Sequence, residues 1–205
     1  MTVSFNGLGN EGRLGNQIFQ YAFIRGISKR YGYDFIIPEP DANRFDNYGL
    51  FDCFELSGCK TGEGSYQTLE CRDTQFNQEF LDNCTDNTNY SGVFQTEKYF
   101  ANADKELRED LTFKKVYLEP CKEFIDSVGD PIFLHVRRGS PNITGNRGEK
   151  WSYQMLQDYH PLMKKEYYLE ALSHFDESKK VVVLSDTIDW CKKQDWLQGD
   201  RFLFS

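Results

Sequence analysis

The chain lacks several things that would have settled its class early. Its six cysteines, Cys53, Cys59, Cys71, Cys84, Cys121 and Cys191, include no Cys-x-x-Cys pair, and none of the three histidines partners them at zinc-like spacing. A zinc ribbon or finger is thereby excluded. The opening stretch, MTVSFNGLGNEGRLGNQ, has no basic start and no apolar leader core. No apolar run approaches the roughly 18–20 residues of a membrane span. These absences point to free thiols in a reducing cytoplasm, and they make the glycosylation-type triplets at Asn83, Asn89 and Asn142 chance matches. Positive charge is also short: 24 Lys and Arg face 32 Asp and Glu, for a net charge of -8. That balance argues against a nucleic-acid partner and against a membrane-surface footprint, while leaving room for a local Arg cluster that binds one compact anion. There is no internal repeat and no low-complexity tract, and the stretch GRLGNQIFQYAF (12–23) is neither GxGxxG nor a P-loop GK[ST].

What is present suits an α/β protein. The 205 residues are enough for one large domain or two small ones, with a proper core. Aromatics reach 16%, with 12 Tyr and 17 Phe, which serves core packing first and carbohydrate-facing platforms second. TVSF reads as a strand, GLGNEGRLGN as a glycine-rich loop, QIFQYAFIRGISKRYG as a helix and YDFIIP as a second strand. Ile18, Phe19, Ala22, Phe23 and Ile27 recur at helical spacing, Asn16 is the expected N-cap, and Gly32 is the stop signal. Residues 41–96 read as loops and short strands with little regular helix. A helix is expected over 100–113, then a polar joint and domain boundary near 112–122, then a short helix over 121–129. DPIFLHVRRG is a strand running into a long polar connection over 140–160, and PLMKKEYYLEALSHF is a helix with a proline near its start. KKVVVLSD suits the centre of a parallel sheet, TIDWCKKQDW a helix, and RFLFS a last strand. An α/β domain rarely ends on a strand, so the second half reads as cut.

Some stretches carry candidate chemistry. In GRLGNQIFQYAF (12–23), glycines between strand and helix let backbone approach a ligand, and the helix N-terminus adds N–H donors. Arg13, Asn16 and Gln17 stand at its mouth, although a tight strand-to-helix turn explains the spacing as well. In HVRRG (135–139), strand alternation puts His135 and Arg137 on one face and Val136 and Arg138 on the other. Ligands of open α/β sheets bind beyond the carboxyl ends of the strands, where an Arg pair can hold a diphosphate through bidentate bonds. A salt-bridged Arg pair is the plainer alternative. In VVLSDTIDW (182–190), Ser185 and Asp186 either cap the next helix or lie beside a nucleotide. No metal cluster stands out, and 32 carboxylates are too many to single out a general base by count.

Taken in order, these stretches, with EYYLEAL (166–172) between the last two, resemble the α-1,2-fucosyltransferase family, glycosyltransferase family 11. GRLGNQ-x-FQYA is specific to it, HxRRG is shared more widely among fucosyltransferases, and residues 40–100 are only loosely alike. The resemblance implies an α/β, GT-B-like fold of two Rossmann-like halves, the second incomplete. These are expected as 1–115, carrying the glycine-rich loop, and 116–205, binding the donor nucleotide. It implies inverting transfer of L-fucose from GDP-β-L-fucose to the 2-hydroxyl of a galactoside, with no obligatory metal and no cofactor besides the donor substrate. On that basis Arg137 and His135 are the expected catalytic residues, Arg137 gripping the diphosphate as its charge grows. Arg138, Arg13, Asn16, Gln17, Ser185 and Asp186 are expected to bind donor or substrate. The implied partners are a GDP-sugar and a glycan acceptor, in the cytoplasm, with the oligomeric state open. The family carries Asp after HxRRG; here Ser140 and Pro141 follow, with Glu149 and Asp158 as the nearest substitutes. That departure keeps open a catalytically silent nucleotide- or glycan-binding relative, and the use of a different sugar nucleotide on the same scaffold.

Overall fold

β1 (Thr2–Ser4) enters the middle of a parallel sheet, where Val3 and Ser4 are fully buried. The computed structural model describes residues 1–10, 12–40, 48–56, 58–138 and 161–205. They divide into two units, Met1–Tyr117 and Leu118–Ser205.

In the first unit, β2 (Asp34–Ile37), β3 (Lys60–Thr61), β4 (Gln67–Glu70) and β5 (Thr88–Ser91) join β1 in the order β3-β2-β1-β5-β4. All neighbours run parallel, and Val3 lies opposite both Phe35 and Thr88. β2 and β5 flank β1 on opposite sides, so the strand order reverses there. The carboxyl ends of β1 and β5 therefore form the kind of switch point at which α/β sheets take ligands.

α1 (Leu14–Tyr31) follows the glycine-rich loop. Its Tyr21, Ala22, Phe23, Ile24 and Ile27 are buried, and Phe23 stacks on Phe94 with ring centroids 3.6 Å apart. Gly26 lets the 3-10 turns of residues 97–103 approach closely, since a Cβ there would stand 2.7 Å from the carbonyl oxygen of Tyr99. Gly32 ends the helix in a left-handed conformation (φ 71), as a C-terminal glycine should. The N-cap is Arg13 rather than Asn16: the helix starts at Leu14, ahead of the first periodic apolar residue, Ile18, which places Asn16 inside its first turn.

Residues 48–96 hold the expected short pieces, including α2 (Leu50–Cys53) and α3 (Gln78–Asp82). The helix expected over 100–113 shortens to α4 (Asp104–Asp110), because the preceding residues wind as a 3-10 turn. From Lys115 on, the joint expected near 112–122 is helical. α5 (Lys115–Val128) runs through it and past Pro120, which withholds one backbone N–H without ending the helix. The division between the units falls within α5.

The second unit carries β6 (Ile132–Val136), β7 (Val181–Ser185) and β8 (Phe202–Phe204), parallel and in that spatial order. β7 is central, as its valine run demands: Val181, Val182 and Val183 are buried, each such side chain contributing about 1.5–3 kcal/mol. α6 (Lys165–Ser173) packs Tyr168 and Leu172 against this sheet, with Pro161 ahead of the helix rather than in it. The helix expected after β7 is a single turn, α7 (Ile188–Cys191), anchored by buried Cys191 and followed by a 3-10 turn at Asp195–Leu197. All six cysteines are free thiols. Among the described residues no helix is long and apolar enough to cross a membrane.

Candidate functional site

Each unit presents polar groups at the carboxyl end of its own sheet. In the second unit, β6 alternates as a strand must: Ile132, Leu134 and Val136 are buried, while Phe133 and His135 are exposed. The strand ends at Val136, and both arginines lie just beyond it. Arg137 is exposed, and no hydrogen bond or ion pair engages its guanidinium among the described residues. Arg138 is half-buried, and both its main chain and its guanidinium are engaged. Its backbone N–H donates to Asp186 Oδ1 at 2.9 Å, and its guanidinium lies 3.7 Å from the centroid of the Trp190 ring.

Ser185 Oγ accepts the Thr187 N–H at 2.9 Å, closing the turn that leads into α7. Asp186 is exposed and ties the end of β7 to the end of β6. Beside them lies a depression of about 480 Å³, lined by Val136, Arg138, Lys164, Tyr168, Trp190 and Trp196 among others. Tyr168 and Trp196 stack at 5.4 Å and 14° to form part of its wall. Burial raises the Tyr168 hydroxyl above its ordinary range, so this wall stays neutral.

In the first unit, the loop after β1 closes through two tight turns, Leu8 N–H to the Phe5 carbonyl and Asn10 N–H to the Gly7 carbonyl. Asn6, at the end of β1, bonds Gly64 reciprocally: its amide nitrogen donates to the Gly64 carbonyl at 2.8 Å and its amide oxygen accepts the Gly64 N–H at 3.0 Å. Its own N–H donates to Asn89 Oδ1 at 2.8 Å, and Asn89 donates to Thr68 Oγ1 at 2.8 Å. These amides join β1, β5 and β4 beside the switch point. Asn89 is thus buried and engaged, so its glycosylation-type triplet is closed to modification.

Arg13 is exposed just ahead of α1. Asn16 is half-buried and accepts from Gln95 Nε2 at 2.7 Å. Gln17 is fully buried, and its Oε1 accepts the Gly49 N–H at 3.0 Å, so it shapes the loop from within. Gly12 has φ +81, and a Cβ there would sit 1.9 Å from Asn16 Nδ2. Asn6, Asn89, Gln95 and Trp190 escape a reading by motif. Only the strand order reveals the asparagines, and Trp190 merely closed a motif whose Ser and Asp drew attention. Ser140, Pro141, Asn142, Glu149 and Asp158 lie outside the described residues.

Comparison with known proteins adds a family. Residues 63–201 match the model of Glycosyl transferase family 11. An alpha-1,2-colitosyltransferase of Escherichia coli is 23% identical over 216 aligned positions, covering 89% of this chain and 69% of the relative. The fucosyltransferase NodZ from Bradyrhizobium superposes with a TM-score of 0.57 at 10% identity, covering 100% of this chain and 77% of the other. A structure of NodZ, an α-1,6-fucosyltransferase, soaked with GDP-fucose gives 0.56 at 11% identity, again with 100% and 77% covered. At such identity the likeness concerns the fold, which is GT-B-like, with two α/β units built on parallel sheets.

Proposed function

The chain belongs to glycosyl transferase family 11, and on that premise we propose that it transfers L-fucose from GDP-β-L-fucose to the 2-hydroxyl of a galactoside, with inversion and without an obligatory metal. The observation that carries the reading is Arg137, exposed and unengaged among the described residues, one position beyond a parallel strand. When the bond between fucose C1 and the phosphate oxygen breaks, negative charge grows on the departing diphosphate. A guanidinium fixed at that point stabilises this charge more than the ground state, which is how a positioned donor accelerates reaction.

His135, two residues earlier on the strand face that alternation assigns to Arg137, is proposed to line the same donor site. Arg138, Ser185 and Asp186 form its other side. Within the first unit, Arg13 and Asn16 are proposed to bind donor or substrate, with Gln17 supporting their loop. The α-1,2 linkage is favoured because the colitosyltransferase relative shares 23% identity, against 10–11% for the α-1,6 enzyme. The GDP-sugar donor is supported by NodZ structures with GDP-fucose and with GDP. Six free thiols agree with a reducing cytoplasm.

The test is calorimetric titration with GDP, UDP and CDP, followed by transfer from GDP-fucose to a galactoside with and without EDTA. Preference for GDP and a metal-independent α-1,2 product are expected. Preference for UDP sinks the fucosyl reading, and loss of activity in EDTA sinks the metal-free one. GDP binding without transfer would favour the silent relative that Ser140, in place of the family Asp, leaves open.

A further inference from the structure

We propose that the depression in the second unit is a subsite for an anionic sugar unit, a pyranose bearing a carboxylate or a phosphate; assigning that sugar to the acceptor rests on the fucosyl-transfer reading above. The depression measures about 480 Å³, within the roughly 300–1,000 Å³ of small-molecule sites. Val136 and Arg138 line it, whereas His135 and Arg137 do not. It therefore lies beside the residue proposed to grip the diphosphate, not around it. Its walls suit a sugar ring. Trp190 and Trp196 are half-buried and both line it, and the Tyr168 ring backs Trp196 at 5.4 Å. An indole offers an apolar surface to the C–H face of a pyranose and an N–H donor at its edge. Neither indole N–H has a hydrogen-bond partner among the described residues. Asp195, exposed in the same lining, is a carboxylate to which a sugar hydroxyl can donate.

The charge of the lining selects among sugars. Lys164, Lys165 and Arg138 stand against Asp195 alone, so the lining is cationic in a chain whose net charge is -8. Arg138 adds charge there whatever its N–H groups engage. The two lysines are exposed, and neither ammonium makes an ion pair or hydrogen bond among the described residues. Elsewhere Lys60 holds Asp34 at 2.7 Å and Lys179 holds Asp130 at 2.5 Å. A cleft lined by one sign of charge on apolar walls concentrates the opposite ion. A neutral sugar would leave both lysines unused, whereas an acidic one can lie on the indoles and present its anion to them.

The test follows the indole N–H resonances of Trp190 and Trp196 by NMR, assigned with Trp190→Phe and Trp196→Phe. Methyl β-D-glucuronide, D-galactose 6-phosphate and neutral methyl β-D-galactoside are titrated in turn, with and without GDP. At least one acidic sugar should shift both resonances and bind about 2- to 30-fold more tightly than the neutral one, the yield of two exposed ion pairs. A response to the glucuronide alone assigns a carboxylate, and to the phosphate alone a phosphorylated sugar. Lys164→Gln/Lys165→Gln should erase the preference, with the indole resonances of the free variant unchanged as proof of its fold. Equal binding of the neutral sugar, or a preference that survives the lysine variant, overturns the proposal. So does the absence of any shift, and so does displacement of the sugar by GDP, which would give the depression to the donor. If an acidic sugar shifts the indoles but calorimetry finds no GDP binding, the fucosyl-transfer reading falls and the acidic-sugar site stands.

Discussion

The Arg138 N–H donates to Asp186 Oδ1 at 2.9 Å, a bond across 48 positions of sequence that joins the exits of β6 and β7. Asp186→Ala should lower stability by about 1 kcal/mol, the ordinary net value of one hydrogen bond, because both groups are near solvent. Asp186→Asn keeps an acceptor oxygen and should lose about half as much. Thermal melts of the two variants, run beside GDP titrations, check this. Equal stability of wild type and Asp186→Ala would mean that the bond does not hold the strand ends together.

Arg137→Ala should leave the melting temperature close to that of the wild type, since exposed substitutions usually stay within about 0.5 kcal/mol. GDP affinity should fall at least tenfold, the loss of one charge-assisted bond of about 1.5–3 kcal/mol. Arg137→Lys should restore only part of it, because an ammonium cannot make the two parallel bonds of a guanidinium. Unchanged affinity in Arg137→Ala would remove Arg137 from the donor site.

Gly12→Ala combines a left-handed backbone (φ +81) with a Cβ 1.9 Å from Asn16 Nδ2. It should destabilise by about 1–3 kcal/mol and break the Asn16–Gln95 contact. Gly7→Ala is the control: nothing lies within 4 Å of its added Cβ, so its melt should match the wild type. Similar melts for the two variants would mean that the loop adapts around Gly12.

Much of the fold could be read from local pattern. The valine run of β7, the α1 periodicity closed by Gly32, and the alternation of β6 each follow from a short stretch of chain. α5 was legible only in its second half, as the short helix expected over 121–129; Pro120 and the charged residues around it made its first half read as a joint. Within the candidate site, the arginines and Asp186 stood out by residue type and position. The bond between Arg138 and Asp186, the Arg138–Trp190 contact and the Asn6–Asn89 pair did not, because each joins segments that only strand order brings together. Gln17 shows the reverse. A polar residue at a glycine-rich mouth suggests a ligand contact, yet tertiary packing turned it inward to the Gly49 N–H.

Asp110 is almost wholly buried and accepts from the Tyr21 hydroxyl at 2.9 Å and from Arg25 Nε at 2.8 Å. Burial, reinforced by the carboxylate, pushes the Tyr21 hydroxyl well above its ordinary range, so it remains a donor. Asp110→Ala would leave a buried hydroxyl and a guanidinium unpaired. The expected loss is about 2–4 kcal/mol, somewhat below the value for a fully buried pair because Arg25 retains some exposure. Urea unfolding measures it, and Tyr21→Phe should cost only about 1 kcal/mol beside it. A loss under 1 kcal/mol for Asp110→Ala would show that the first unit does not depend on this pair.

Cys84 contributes to the alkaline limit of the first unit's stability. Burial pushes its thiol from the ordinary 9.0 up to about 11, against a smaller opposing pull from the Tyr90 hydroxyl. The folded state therefore holds this proton more tightly than the unfolded chain does. By linkage the contribution is complete below about pH 9 and is lost as pH rises toward 11, because the unfolded chain ionises first. Melts at rising pH should show that decline, and Cys84→Ala should lessen it without abolishing it, since burial also raises Cys59, Tyr21 and Tyr90, while lowering stability at neutral pH through the lost packing. Alkylation supplies an independent check. The exposed Cys121 should react first at neutral pH, with buried Cys84 protected until the fold opens. Early modification of Cys84 would place its thiol in contact with solvent and remove the basis for the shift.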